Sequence, residues 1–186
     1  DDSPRELVLP VPGEHMALNA LAALIAVRDY GGDVSEALEA LTHFGGVNRR
    51  FQYHGHVGGI RVYDDYAHHP TEARAVLTAA REVADADAQG LGHPGRVIVC
   101  FQPHLFSRTE QFAEEFAKAL DLADYAIVLD IYGAREKPIP GVTSELITTQ
   151  LTIPHKYQPD FSKVPYDVAA ICLLYTSDAA DDSLRV

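Results

Sequence analysis

The sequence has 186 residues, is 47% hydrophobic, and carries a formal net charge of −12 with a pI of about 5.0. This length holds one domain, or one domain and part of another, with enough apolar residues for a packed core. The acidic balance excludes nonspecific nucleic-acid binding through a basic surface, and no apolar run reaches the length that spans a membrane. Two cysteines suggest no disulfide framework, so we expect a protein of the reducing cytoplasm.

The beginning of the chain predicts a short strand and two helices. Residues 7–11 are apolar and end at a Pro-Gly pair, which is typical of a strand followed by a turn. A helix is predicted over residues 15–30, with apolar side chains at core spacing, namely Leu18, Leu21, Ala22, Ile25 and Ala26. A second short helix is expected over residues 36–41. His15 and Asn19 share one face at the start of the first helix, and taken alone they are better explained as a polar capping edge.

Two glycines, Gly45 and Gly46, break the helical pattern and predict a hinge between domains. Arg49 and Arg50 follow this hinge. Adjacent guanidinium groups in an acidic protein suit a phosphate, because arginine offers paired donors and keeps its charge. A salt bridge between domains would explain them equally well. Residues 52–63 then predict a β-hairpin that turns at two glycines.

The next segment, residues 60–84, predicts a strand, a polar loop and a helix. The loop contains two carboxylates, a phenol and two imidazoles, on Asp64, Asp65, Tyr66, His68 and His69. Pro70 follows them and suits the first turn of a helix. Such strand-to-helix loops are where α/β proteins place ligands, because the helix amides attract anions. Any one of these side chains could merely cap the turn or face solvent, but five in one loop favour a site.

A second strand, loop and helix follow. Residues 96–101 form a continuous apolar run, as expected of a parallel strand buried on both faces. Ser107 and Glu110 match a capping box at the start of the next helix. His104 and Arg108 would then lie beside exposed helix amides, an arrangement that suits a carboxylate or a phosphate. The alternative is an ordinary helix cap with a surface arginine.

A third strand is predicted over residues 125–132, followed by a charged loop and a capped short helix over residues 141–147. Three successive strand–loop–helix units indicate an α/β fold with a doubly wound, mostly parallel sheet. Beyond residue 152 the pattern weakens, with a strand expected over residues 163–166 and a helix from residue 167. Residues 172–186 resemble a translated sequencing-library adapter, and we expect them to be a non-native tail.

Several motifs together resemble the Mur ligase family, and they occur in that family's order in residues 12–20, 48–51, 64–70, 101–104, 107–109 and 134–138. The resemblance implies a Rossmann-like C-terminal domain over residues 47–171, preceded in residues 1–46 by the end of a P-loop ATPase domain. The phosphate-binding motif G-x-x-x-x-G-K-[ST] does not occur in the sequence. We therefore expect a fragment that is inactive alone, with an incomplete C-terminal domain.

The resemblance also implies an activity, the ATP-dependent joining of L-alanine to the carboxylate of UDP-N-acetylmuramate through an acyl phosphate, in peptidoglycan precursor synthesis. Mg²⁺ would be a cofactor, with its ligands upstream and none in this fragment. The residues that match the family's nucleotide-binding positions are His15, Asn19 and Arg50. The residues that match its catalytic positions are His68 and Asp65. The residues that match its amino-acid-binding and substrate-binding positions are Tyr66, His68, His104, Ser107 and Arg108.

Two residues depart from the family pattern. Met16 stands where many members have Asn, and Leu105 stands where some have a second Arg, so carboxylate binding would depend more heavily on Arg108. One alternative is the related ligase that recycles murein tripeptide. Another is a noncatalytic nucleotide-binding module. A third is a metal site, which would be formed by His68, His69, Asp65 and His104, although these lack a tight ligand spacing.

Overall fold

The computed structural model describes residues 4–89 and 94–181. The chain divides into two compact units, a first unit of Asp1–Gly95 and a second unit of Arg96–Val186. Among the described residues, no helix has the length and apolar character needed to cross a membrane.

The first unit contains three helices and one β-hairpin. Its elements are α1 (Glu14–Asp29), α2 (Val34–Thr42), β1 (Gln52–Val57), β2 (Ile60–Asp64) and α3 (Pro70–Asp87). The strands β1 and β2 pair antiparallel and are joined by two glycines with positive φ, which confirms the predicted hairpin. The strand predicted over residues 7–11 is wrong, since that segment has no regular secondary structure.

The buried face of α1 differs from the predicted one. Met16, Ala20 and Leu24 are buried, whereas Leu18 and Leu21 are 59% and 49% exposed. Both sets of residues follow helical spacing, because α1 is apolar on more than one side. Hydrophobic periodicity therefore predicted the helix but not which side of it packs against the rest of the unit.

The second unit is an α/β layer structure around a parallel sheet. Its elements are β3 (Ile98–Phe101), α4 (Phe106–Leu120), β4 (Tyr125–Val128), α5 (Glu145–Thr148), β5 (His155–Tyr157), a 3₁₀ turn (Phe161–Lys163) and α6 (Val164–Asp181). The three strands are parallel in the order β3-β4-β5. This arrangement confirms the predicted α/β class. The hairpin strand β2 is not part of this parallel sheet.

The core of the second unit lies around the central strand β4, whose Ala126, Ile127 and Val128 have no exposed surface. Ile127 packs in a cluster with Val164 and Ile171 of α6. Apolar side chains on both faces explain why β4 reads as a continuous hydrophobic run in the sequence.

Two strand predictions in the second unit are corrected by the structure. The third strand ends at Val128 rather than continuing to residue 132, where Tyr132 makes only an isolated bridge with His104. The strand expected over residues 163–166 is instead the end of the 3₁₀ turn and the beginning of α6, and the actual edge strand is β5. With only three residues, all of them exposed, β5 has no hydrophobic pattern that could predict it.

Candidate functional site

The loop between β2 and α3 in the first unit ends in a capping box. The His69 ring accepts a hydrogen bond from the Thr71 N–H at 3.4 Å, and the Glu72 carboxylate accepts one from the His69 N–H at 3.2 Å. Pro70 occupies the first turn of α3, as predicted. The sequence analysis did not select Glu72, although its position three residues after the N-cap is the usual place for such an acid.

Asp65 holds two backbone segments together. Its Oδ2 accepts the Phe51 N–H at 2.7 Å, and its Oδ1 accepts the Ala67 N–H at 2.6 Å. The Tyr66 N–H donates to the Arg49 carbonyl at 2.8 Å, which gives a third link between the same segments. Each oxygen of Asp65 thus receives a backbone donor, an arrangement that suits holding the loop. The predicted catalytic role of Asp65 stays a prediction.

The segment that Asp65 holds contains two non-glycine residues in the left-handed region, Arg49 with φ 59° and Phe51 with φ 47°. Such conformations cost energy for L-residues, so they need external support. The Arg49 guanidinium lies 4.5 Å from the centre of the Tyr66 ring. Arg50, between the two strained residues, is exposed and lies 3.7 Å from the Glu72 carboxylate. The segment that carries Arg49 and Arg50 is therefore joined to the loop and to α3 by direct contacts.

His68 has a defined tautomer when neutral. Its Nδ1 lies 2.9 Å from the Tyr66 carbonyl oxygen, which can only accept, so the ring proton is on Nδ1 and the lone pair is on Nε2. The Glu72 Oε2 lies 3.5 Å from the same Nδ1. Burial of Glu72 raises its pKa, but the N–H groups of His68 and His69 and the charges of His68 and Arg50 outweigh this, and the pKa is lowered. An ionised carboxylate thus accompanies an oriented imidazole that can accept a proton through Nε2.

The predicted nucleotide residues are not all gathered in one cavity of the first unit. Arg50 lines a cavity of about 640 Å³ with Asn48, Phe51 and other residues, and this volume lies in the range of small-molecule sites. Neither His15 nor Asn19 is among the described residues that line it. His15 lies in the first turn of α1, two residues after the N-cap residue Gly13, where a Cβ would come within 2.7 Å of the imidazole.

In the second unit, the loop between β3 and α4 is joined to the loop that follows β4. The Leu105 N–H donates to the Tyr132 carbonyl at 2.9 Å, and the Tyr132 N–H donates to the Pro103 carbonyl at 2.8 Å. The His104 and Tyr132 rings lie 5.6 Å apart. Leu105 has a φ of 74° and makes no side-chain cap for α4. This loop is therefore held in place by a second loop.

The capping box predicted from Ser107 and Glu110 is wrong. The N-cap residue is Leu105 rather than Ser107, and α4 begins at Phe106, two residues earlier than predicted, so Ser107 lies inside its first turn. The partner of Ser107 is Glu136, which accepts the Ser107 N–H at 3.0 Å and the Ser107 hydroxyl at 2.5 Å. These hydrogen bonds, with a smaller contribution from the charge of Arg108, hold the pKa of Glu136 below its ordinary value. The predicted role of Ser107 in substrate binding stays a prediction.

Arg108 is half-buried and lies beside His104. Its NH1 is 3.4 Å from the His104 Nδ1 and 3.5 Å from the His104 carbonyl oxygen. Within residues 4–89 and 94–172, whose side chains the structure describes, no carboxylate forms an ion pair with Arg108. The guanidinium therefore keeps donors that can bind the carboxylate of a ligand.

The described part of the chain offers no group of three or more His, Cys, Asp or Glu side chains that could hold a metal ion. The metal site considered for Asp65, His68, His69 and His104 therefore has no support in that part. The remaining candidates form two clusters. Arg50, Asp65, Tyr66 and His68 lie in the first unit, and the second unit contains His104, Ser107 and Arg108.

These features define an α/β domain that carries clustered polar and cationic side chains in its strand-to-helix loops. Residues 49–181 match the family model described as "Mur ligase, glutamate ligase domain", and the chain belongs to the Mur ligase family. It is 56% identical over 178 residues to a UDP-N-acetylmuramate–L-alanine ligase from Rhodococcus opacus, which covers 92% of this chain and 35% of the relative. A ligase of the same name from Mycolicibacterium smegmatis is 52% identical over 171 residues, which covers 92% of this chain and 34% of the relative. The chain thus spans about a third of the length of the curated relatives it matches.

Solved structures give the same result. The UDP-N-acetylmuramate–alanine ligase of Thermotoga maritima aligns with a TM-score of 0.67 and 34% identity, over 87% of this chain and 33% of that one. A folylpolyglutamate synthase of Mycobacterium tuberculosis, solved in complex with ADP, aligns with a TM-score of 0.65 over 95% of this chain and 36% of that one. Its sequence identity is only 19%, so this second likeness shows the fold alone. The predicted division into residues 1–46 and 47–171, and the non-native tail, stay predictions; residues 182–186 of that tail lie outside the described residues.

Proposed function

We propose that the protein containing this chain joins L-alanine to the carboxylate of UDP-N-acetylmuramate at the expense of ATP. The observation that carries this proposal is the 56% identity to a ligase of that name over 178 residues. The half-buried Arg108 without an acidic partner among the described residues adds chemical support, because an amino-acid substrate brings a carboxylate.

The proposed reaction proceeds in two steps. An oxygen of the muramate carboxylate attacks the γ-phosphorus of ATP, the bond to ADP breaks, and an acyl phosphate forms. The alanine nitrogen then attacks the acyl carbon, the carbon–oxygen bond to phosphate breaks, and the nitrogen loses a proton to a base. Such chemistry depends mainly on positioning and on neutralising charge, which is the kind of function that arginine and oriented imidazole groups provide.

In the second unit, we assign to Arg108 the binding of the alanine carboxylate. Its planar guanidinium can donate two parallel hydrogen bonds to a carboxylate, and its position beside His104 fixes one side of the group. His104 then acts as a neighbour that orients Arg108 and lines the carboxylate position.

In the first unit, we assign proton acceptance to His68, because the hydrogen bond from Nδ1 to the Tyr66 carbonyl leaves the lone pair on Nε2. Arg50 is the candidate for the nucleotide phosphates, with its backbone fixed by Asp65 through the neighbouring Phe51. ATP is proposed as the phosphoryl donor, and binding of its base by His15 and Asn19 stays a prediction. The described residues do not fit a magnesium site, so no step is derived through Mg²⁺.

The test is to express the complete open reading frame that contains this sequence and to measure phosphate release from ATP. We expect release that requires both UDP-N-acetylmuramate and L-alanine. Release that requires a murein tripeptide in place of alanine would assign the recycling reaction instead. Absence of release with either amine substrate would overturn the ligase proposal.

The same assay tests Arg108. Replacing a charged hydrogen-bond donor costs about 1.5–3 kcal/mol, so Arg108→Ala should raise the KM for alanine roughly tenfold to a hundredfold, with little change in the KM for ATP. Arg28→Ala is the matched control, because Arg28 is exposed and, among the described residues, forms an ion pair with its neighbour Asp29 alone. Equal increases in both KM values would remove the assigned role of Arg108.

A further inference from the structure

We propose that Glu136 is a positioning residue of the amino-acid site, which holds the first turn of α4 through Ser107 and thereby fixes Arg108. This inference rests on the proposed function, since it concerns the residue assigned to the alanine carboxylate. No sequence motif around Ser107 points to Glu136, which lies 29 residues further along the chain.

The helix α4 has no side-chain cap from its own N-cap residue. Its N-cap residue, Leu105, has an apolar side chain and a left-handed backbone, so it provides no acceptor for the amides of the first turn. Helices normally satisfy the N–H of the second helical residue with an N-cap side chain. In α4 that residue is Ser107, and the acceptor is the Glu136 carboxylate at 3.0 Å. Glu136 thus acts as a helix cap supplied by another loop.

The loop that carries Glu136 is itself a defined turn. The Glu136 N–H donates to the Gly133 carbonyl at 2.8 Å, and Ala134 between them has a φ of 49°. Gly133 lies directly against α4, since a Cβ there would come within 2.7 Å of the Phe106 ring. The backbone that carries the Glu136 side chain is therefore fixed next to the first turn of α4.

The negative charge of Glu136 lies near Arg108. Both oxygens of Glu136 accept hydrogen bonds from Ser107, one from its N–H and one from its hydroxyl. Bound in this way, the carboxylate stabilises the helix end and does not form an ion pair with Arg108 within the described residues. By binding the Glu136 carboxylate, Ser107 keeps it from competing with the substrate carboxylate for Arg108. Glu136 in turn holds Ser107, and with it the adjacent Arg108, in place.

The kinetic test uses the complete protein and compares Glu136→Ala with Glu136→Gln. We expect Glu136→Ala to raise the KM for alanine roughly tenfold, the effect of losing hydrogen bonds to a charged group, with the KM for ATP within about twofold. Glu136→Gln should restore most of the affinity, because its amide oxygen can accept the Ser107 N–H and its amide nitrogen can donate to the Ser107 hydroxyl. The control is Glu110→Ala, an exposed acid one turn further along α4.

A structural readout separates this inference from the proposed function. In the 186-residue chain, amide hydrogen exchange of Ser107 should become faster in Glu136→Ala and return toward wild type in Glu136→Gln. Unchanged exchange would overturn the cap, whatever the enzyme does. Suppose that the wild-type protein releases alanine-dependent phosphate. The positioning role is then wrong if Glu136→Ala raises the KM for alanine and the KM for ATP equally. It is also wrong if Glu136→Gln has a KM for alanine as high as that of Glu136→Ala. If wild type releases no such phosphate while exchange responds as expected, the proposed function alone has failed.

Discussion

The two strand-to-helix loops of this chain are stabilised in different ways. The loop between β2 and α3 is held by carboxylates close to it in sequence: Asp65, which also joins it to the segment of Phe51, and Glu72 in the capping box with His69. The loop between β3 and α4 is held from outside, by Glu136 of the loop after β4. In both loops a carboxylate fixes the backbone next to a predicted site residue: Asp65, itself predicted to be catalytic, lies in the loop of His68, and Glu136 accepts hydrogen bonds from Ser107, next to Arg108. The difference is the sequence distance over which that carboxylate acts.

The largest expected effect concerns the first loop. Asp65→Asn leaves one acceptor oxygen and turns an amide group toward a backbone N–H, so it should lower the free energy of unfolding by about 3 kcal/mol. The matched control is Asp64→Asn, because Asp64 makes only partly exposed ion pairs with Arg49 and His54 and should change stability by less than about 1 kcal/mol. Urea unfolding of the 186-residue chain measures both. Equal losses would show that Asp65 is not the residue that holds this loop.

A smaller effect is expected for the cap of α3. Glu72→Ala removes the acceptor for two backbone N–H groups, those of His68 and His69, and should cost about 1 kcal/mol in unfolding free energy. Glu72→Gln keeps an oxygen acceptor in the same place, so it should lose only about half as much unfolding free energy as Glu72→Ala. Urea unfolding again gives the comparison. A glutamine variant as unstable as the alanine variant would mean that the negative charge, rather than the capping hydrogen bonds, stabilises the loop.

The parts of the fold that the sequence predicted are those determined by neighbouring residues. The start of α3 at Pro70 and the β1–β2 hairpin follow from local turn and helix chemistry, and both are confirmed. The α/β class follows from the apolar strands of the second unit. The packed side of α1 and the short strand β5 were not predictable, because tertiary contacts select them from several locally equivalent choices.

The same distinction applies to the candidate site. His68, Asp65 and Tyr66 were identified because they crowd one loop, and the structure places them together in the first unit. Glu72 could have been found from its capping spacing. The contact between Glu136 and Ser107 could not, because it joins two loops that are distant in sequence, and the local motif instead favoured Glu110. Local chemistry thus predicted which loops carry the site, and tertiary hydrogen bonds decide how they are held.

A pH titration compares the two glutamates directly. The pKa values of Glu72 and Glu136 lie below the ordinary value of 4.5. Each ionised carboxylate therefore contributes stability that is fully present above the pKa of the unfolded chain and is lost as the pH falls through the lower folded pKa. The wild-type chain should lose unfolding free energy as the pH falls below about 5, and the double variant Glu72→Gln, Glu136→Gln should lose less. Parallel wild-type and variant curves from urea unfolding would contradict these contributions.

The smallest expected effect isolates the backbone of the outer loop from its hydrogen bonds. Ala134 has a φ of 49°, is exposed, and has no side chain beyond Cβ, so Ala134→Gly relieves left-handed strain without removing a contact. The gain of about 1 kcal/mol is partly offset by the greater entropy of glycine in the unfolded chain, which leaves a net stabilisation of about 0.5 kcal/mol. Ala169→Gly in α6 is the matched control and should destabilise by about 1 kcal/mol, because glycine there weakens a helix. If urea unfolding shows both variants destabilised alike, the turn stores no relievable strain, and Glu136 is placed by the hydrogen bonds of its loop rather than by a strained backbone.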